Sequence, residues 1–218
     1  MRPCGLGWAT AEGRPTDAAN FQPEQKVTAP RIELILASAS PRRRELLAEA
    51  GYAFRVVPPS DEAEDTGMPN EIAPELVARL ARQKAADVAG RVAAGMVVAC
   101  DTVAECAGQI LGKPRDERHA QEMLELLSGQ EHRVYSGLCL WPLPNGSPRT
   151  EVDQTTLRMR PLTKAEIDEY LAGGLWRGKA GAFGYQDRLG WLEVVEGSES
   201  NVVGLPLELL TKMLSELS

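Results

Sequence analysis

The sequence predicts an α/β fold, on three observations. Short apolar runs of strand length alternate with segments of helical period, the order that builds a sheet covered by helices. The stretch Ile32 to Gly51 shows this unit in full, as strand, tight serine-rich turn and helix. The 218-residue chain is 43% hydrophobic and 25% charged, an ordinary globular composition with length for one large domain or two small lobes.

Each element follows from local chemistry. Residues 1 to 30 are rich in Gly, Pro, Ala and polar types with no apolar period, so a poorly ordered extension is expected there and a folded domain over 31–218. Ile32 to Ala37 reads as a buried strand. Ser40 suits a helix N-cap, Pro41 the first helical position and Gly51 the stop. Tyr52 to Val57 reads as a second strand ended by Pro58-Pro59, followed by the acidic loop Ser60-Asp61-Glu62-Ala63-Glu64-Asp65. Pro74 to Ala89 carries Leu76, Val77, Leu80, Ala81 and Val88 on one helical face, and Lys84 falls on that same face. Met96 to Cys100 is a strongly apolar strand that runs into Asp101-Thr102, then Val103 to Cys106, a turn and the return strand Ile110-Leu111.

Asp116 to Leu127 is the next helix, Glu131 to Trp141 a strand and Thr150 to Arg160 another. Thr163-x-x-Glu166 is a capping box opening a helix to about Leu171. Gly173 to Gln186 holds five glycines in fourteen residues and reads as a flexible loop whose backbone can approach a ligand. Trp191 to Val195 is the last strand, Ser198 to Gly204 a turn, and Pro206 opens the last helix.

Several classes are disfavoured. A formal net charge of −7 argues against extended nucleic-acid binding, which needs a basic face. No apolar run reaches the 18 or so residues of a membrane helix, and no secretory signal pattern is present. The four cysteines, at 4, 100, 106 and 139, form no Cys-x-x-Cys pair and read as reduced and packed, which points to a reducing, cytoplasmic setting. His119 and His132 fall in no metal-ligand spacing, so surface or core roles are expected. There is neither a nucleophile elbow nor a P-loop motif.

Other residues break local rules. Arg42, Arg43 and Arg44 stand in the first turn of a helix, where cations oppose the dipole. An anion bound there would reconcile them, because backbone N–H groups, serine hydroxyls and guanidinium forks converge on it. A solvated basic turn is the alternative. Lys84 either snorkels to water or aims its ammonium into a cleft. Asp101, at the end of a buried strand, must be paired, hydrogen-bonded or metal-bound. Cations at a helix start with a carboxylate nearby suit a polyphosphate: the cations neutralise oxygens, and the carboxylate holds a divalent ion or takes a proton from water.

Seven ordered segments resemble the Maf family: Ser38-Ala-Ser-Pro-Arg-Arg-Arg-Glu-Leu-Leu47, Arg79-Leu-Ala-Arg-Gln-Lys-Ala85, Cys100-Asp-Thr102, Leu111-Gly-Lys-Pro114, Leu127-Ser-Gly129, Lys179-Ala-Gly-Ala-Phe-Gly-Tyr-Gln186 and Asn201-Val-Val-Gly-Leu-Pro206. The resemblance implies a nucleoside triphosphate pyrophosphatase whose twisted mixed sheet, flanked by helices, is like that of inosine triphosphatases and holds a cleft between two lobes. It implies a divalent cation, magnesium or manganese, and release of a monophosphate and pyrophosphate. By position, Asp101 resembles the proton acceptor, Ser38, Arg43, Lys84 and Lys113 the phosphate contacts, and Glu62 with Asp101 the metal-associated carboxylates. Arg42, Thr102 and Gln186 match the residues that mark the dTTP/UTP type, and Gln186 can offer a donor and an acceptor to a pyrimidine edge. A homodimer is also implied. A nucleotide-binding regulator of septum formation without turnover is the alternative. Two departures stand out: Cys100 where Ala or Gly is usual, and Trp176-Arg177-Gly178 where Glu-Pro and an acid are usual, which bears on the closing loop.

Overall fold

The structure, a computed structural model, describes residues 33–64 and 71–217. The extension expected over 1–30, Cys4 and Asp65 of the acidic loop lie outside the described residues. A seven-stranded mixed sheet has the order β2-β1-β3-β5-β6-β7, with β4 also on β3. The strands are β1 (Leu34–Ala37), β2 (Phe54–Val56), β3 (Gly95–Cys106), β4 (Gln109–Leu111), β5 (Glu131–Leu143), β6 (Arg149–Met159) and β7 (Leu192–Glu196). β1 runs parallel to β2 and β3, and the other pairings are antiparallel. The helices are α1 (Pro41–Glu49), α2 (Ala73–Ala89), α3 (Glu117–Leu127), α4 (Lys164–Ala172), α5 (Glu199–Val203) and α6 (Leu207–Ser215).

Strand alternation divides the side chains between two faces. On one, α2 lays Ala81, Ala85 and Val88 against Ile35, Ala37, Val97, Ala99 and Cys139. The helix backbone rests on β5 itself, because a Cβ at Gly137 would stand 2.1 Å from the Val77 carbonyl oxygen. The other face carries two separate clusters. Leu47 of α1, Leu210 and Met213 of α6, and Leu205 cover Leu36, Met96, Val98, Leu138 and Leu140. Further along, Met123, Leu124 and Leu127 of α3 and Ile167, Tyr170 and Leu171 of α4 cover Ala104, Val134, Leu157 and Met159. Between the clusters the sheet turns polar, where Thr102 and Ser136 join hydroxyls at 2.8 Å and the Asn201 amide donates to Thr155 at 2.9 Å. These two clusters are the two lobes, and the polar stripe is the floor of the cleft.

The sheet also has a gap. β1 leaves β3 after Ala37 pairs Ala99, and β4 joins it only where Leu111 pairs Ala104. Cys100 to Val103 therefore pair with β5 on one side, and among the described residues no strand adjoins the other.

Four expectations need correction. Asp101 is not at a strand end, because β3 runs unbroken to Cys106 and Asp101 pairs with Gly137 of β5; the polar pair Asp101-Thr102 interrupts the apolar run without ending the ladder. Ser40 precedes α1 in extended conformation but makes no side-chain cap. Ser38 acts locally instead, its hydroxyl accepting the Ser40 N–H at 3.2 Å. The expected turn at Ser198–Gly204 contains α5, too short to show a period, ended by Gly204 at φ +120°. The glycine-rich segment is not an open loop. It contains 3-10 turns at Ala180–Ala182 and Tyr185–Asp187, with Lys179, Gly181, Ala182 and Gly184 buried. The Thr163–Glu166 capping box is present in full, and Cys100, Cys106 and Cys139 are free and buried. Among the described residues no helix is long and apolar enough to cross a membrane.

Candidate active site

A cavity of about 480 Å³ fills the space between the two lobes and reaches the gap beside β3. Ser38, Arg42, Arg43, Lys84, Asp101, Thr102, Lys113 and Gln186 all line it. Arg177 and Lys179 border it too, and Asp101 is its only lining carboxylate among the described residues.

Arg43 is placed by three acceptors. Its Nε donates to the Gly204 carbonyl at 2.7 Å, and its terminal nitrogens donate to Thr102 Oγ1 at 3.0 Å and Ser38 Oγ at 3.4 Å. The Gly204 carbonyl also accepts from the Cys100 thiol at 3.2 Å, so a cysteine where a smaller residue is usual is absorbed by the same anchor. Burial pushes the Cys100 thiol pKa up, keeping it protonated and able to donate. Arg42 donates to the Gly178 carbonyl at 2.8 Å. Partial burial, and then the charge of Arg43, push the Arg42 pKa down; a guanidinium still stays charged, and the direction marks a site crowded with cations.

On the α2 side Lys84 is only 5% exposed, and its ammonium donates to Asp101 Oδ1 at 2.7 Å. Snorkelling to water is therefore not its role. Helical side chains lean toward the N-terminus, and Gly137 holds α2 close to the sheet, so Lys84 reaches back along the helix to the carboxylate. Lys113 and Gln186 are exposed at the cavity's rim. Gln186 lies over Gly184, where a Cβ would meet its amide nitrogen at 2.8 Å. Glu62 is exposed on the 3-10 turn Asp61–Glu64, just beyond the lining residue Pro59, and is not itself a lining residue. Among the described residues no group of three or more His, Cys, Asp or Glu side chains could hold a metal by itself.

Sequence reasoning missed a second buried ion pair. Lys179 donates to Asp187 Oδ1 at 2.6 Å, and Tyr170 donates to Asp187 Oδ2 at 2.8 Å. Burial, and then donation to Asp187, push the Tyr170 pKa up. The Phe183 and Trp191 rings stack at 5.1 Å beside Tyr170, which fastens the glycine-rich segment to α4. Trp176, unusual at its position, is buried, donates to the Leu171 carbonyl at 3.2 Å and carries the Arg177 guanidinium 4.8 Å over its ring. The departing tripeptide is thus packed into the loop, and its Gly178 supplies the carbonyl that holds Arg42. The available signal was the short spacing of Lys179 and Asp187 across glycines. Gly137 and Gly204 gave no readable signal, because a close approach is a tertiary fact.

The arrangement gathers cations around one carboxylate above an apolar chamber, and it can take a polyanion with a flat ring attached. Residues 33–217 match the model of the family described as Maf-like protein. The chain is 54% identical over 182 residues to a dTTP/UTP pyrophosphatase of Rhodopirellula baltica, covering 83% of this chain and 80% of that one. It is 43% identical to one of Dehalococcoides mccartyi, covering 85% and 82%, and 42% identical to one of Carboxydothermus hydrogenoformans, covering 85% and 98%. A HAM1 protein structure from Coxiella burnetii aligns with a TM-score of 0.47 at 16% identity, over 85% of this chain and 99% of that one.

Proposed function

The chain belongs to the Maf-like protein family, and from that premise we propose that it is a nucleoside triphosphate pyrophosphatase hydrolysing dTTP and UTP to the monophosphate and pyrophosphate. The observation that carries the reading is one cavity carboxylate, Asp101, among Arg42, Arg43, Lys84 and Lys113, with buried Ser38 beside them. Arginine forks and ammonium groups neutralise phosphate oxygens where charge develops. Asp101 keeps lone pairs beyond the one that accepts from Lys84, and it takes the proton of a water whose oxygen bonds to the α-phosphorus. The bond from that phosphorus to the bridging oxygen breaks, and pyrophosphate leaves with its charge held by the cations.

A divalent ion fits this donor set. Magnesium takes one or two protein carboxylates and lets substrate phosphates and water fill the rest, and Asp101 is such a carboxylate, with exposed Glu62 the outer one. Bound with the substrate, such an ion would supply neutralisation of phosphate charge and favour attack by water. Arg42, Thr102 and Gln186 are the residues assigned to pyrimidine choice. The relatives named above are the support for dTTP and UTP. Small-molecule work in the cytoplasm, as a homodimer, completes the reading.

The test is a panel of eight nucleoside triphosphates with magnesium, assayed for pyrophosphate. Release from dTTP and UTP that EDTA stops is the expected result. Nucleotides bound but recovered intact would overturn it in favour of a nucleotide-binding regulator of cell division.

A further inference from the structure

A chain of hydroxyls leads from the phosphate cations into the sheet. Ser136 of β5 is wholly buried and is not one of the residues that line the cavity. It stands directly opposite Thr102 of β3, and the two hydroxyls lie 2.8 Å apart. On the cavity side, Thr102 Oγ1 accepts from the Arg43 guanidinium at 3.0 Å. On the other side, Ser136 Oγ donates to the Asn201 carbonyl at 3.5 Å. Thr102 Oγ1 also stands 3.3 Å from the Gly204 carbonyl, within donating distance.

The chain is complete whichever hydroxyl of the pair is the donor. Thr102 can donate to Ser136 and Ser136 to Asn201, or Ser136 can donate to Thr102 and Thr102 to Gly204. Both arrangements place each hydroxyl proton on an acceptor and keep a Thr102 lone pair for Arg43. Both also end on the segment from Asn201 to Gly204, which is itself held fast. Asn201 is wholly buried, and its amide donates to the Val134 carbonyl at 3.3 Å and to Thr155 Oγ1 at 2.9 Å.

A hydroxyl pair across two strands is an ordinary sheet device. This one differs in what it grips. A guanidinium has five N–H donors in a rigid fork, and Gly204, Thr102 and Ser38 take one each from Arg43. Two are left for a ligand, and the direction they point is fixed by the acceptors already engaged. We propose that Ser136 is a positioning residue for the reaction: through Thr102 it fixes the orientation in which the Arg43 fork meets the substrate's phosphates. The inference rests on the pyrophosphatase reading, which puts phosphates at Arg43.

The experiment is a double-mutant cycle read as kcat/KM for pyrophosphate release from UTP, with Tm followed in parallel. Ser136→Ala removes one oxygen and adds no volume, and it should lower kcat/KM about tenfold. A lysine at position 43 has no fork to orient, so in the Arg43→Lys background the same change should cost less than about twofold. Thr102→Val cuts the chain at its other hydroxyl and serves the same cycle if Arg43→Lys turns over too slowly to measure. A Ser136→Ala enzyme with a lower Tm but unchanged kcat/KM has lost a structural contact only, and that overturns the proposal. So does a loss that is as large in the second background as in the wild type, because Ser136 then acts without Arg43. Absence of pyrophosphate from UTP in the wild type sinks the underlying reading instead, and the two failures are thereby told apart.

Discussion

Two lysine–aspartate pairs stand at the cavity, one lining it through both members and the other through its lysine alone, and their surroundings differ in kind. Lys179 and Asp187 bury their side chains to 9% and 10% exposure, and Tyr170 donates to the same carboxylate, so Asp187 is satisfied from two residues. Lys84 and Asp101 are similarly buried, at 6% and 13%, but they sit beside the gap in the sheet and both line the cavity. A carboxylate closed in by fixed donors holds a loop in place. One that keeps lone pairs toward a chamber can take a proton. The contrast separates a pair that maintains the cavity's shape from a pair that works in it.

Equivalent substitutions should break the comparison most visibly. Asp101→Asn is expected to slow pyrophosphate release by about 10²–10⁴-fold, with a smaller change in Tm than Asp187→Asn produces; turnover near the wild-type rate would remove Asp101 as the base. Asp187→Asn leaves a buried ammonium facing an amide and should cost about 3 kcal/mol of stability by denaturant unfolding. Its catalytic loss should be the lesser of the two.

Acid titration sharpens the contrast only after His132 is accounted for. Burial pushes its folded-state pKa down to about 4, below the ordinary 6.5. Above pH 6.5 the ring is neutral in both states and has no effect. As pH falls further the unfolded chain takes the proton first, so stability drops, by about 3 kcal/mol in all once pH 4 is reached. His132→Leu should flatten that part of the stability curve measured by urea unfolding. What remains of the acid limb in that variant belongs to carboxylates such as Glu166, whose pKa is pulled down by its hydrogen bonds from Arg160 and Thr163. The smallest effect is expected for Tyr170→Phe, which removes one of Asp187's donors and should cost about 1 kcal/mol, with pyrimidine preference unchanged.

How much of this was legible in sequence depended on whether a residue violated a rule of its own segment. Three arginines against a helix dipole, a lysine on an apolar face and an aspartate in an apolar strand are local contradictions, and the cavity brings Arg42, Arg43, Lys84 and Asp101 together. The helices and strands followed from period and capping for the same local reason. Asp187, Tyr170 and His132 contradicted nothing nearby. Nothing in the sequence singled out Asp187, and His132, in no metal-ligand spacing, read only as a surface or core residue. Their importance arises from partners on other elements: Lys179 across a 3-10 turn, α4 behind it, and the chamber over β6. The long β3 was divided in reading because a polar pair resembles a strand end, when it marks the place where the neighbouring strand is missing. Glu62 was chosen by family position alone, and it stands exposed outside the lining.

Asp101 and Thr102 are adjacent in the chain and line one cavity from opposite faces of β3, one meeting Lys84 and the other Arg43. The parity of a single strand therefore decides which side receives the acid and which the hydroxyl. A deletion of one residue between Met96 and Cys100 would exchange them, and would also turn Glu105 toward the core face that Ala104 and Cys106 now occupy. Position of the acid and integrity of the core are thus set by the same parity, and neither can be shifted alone.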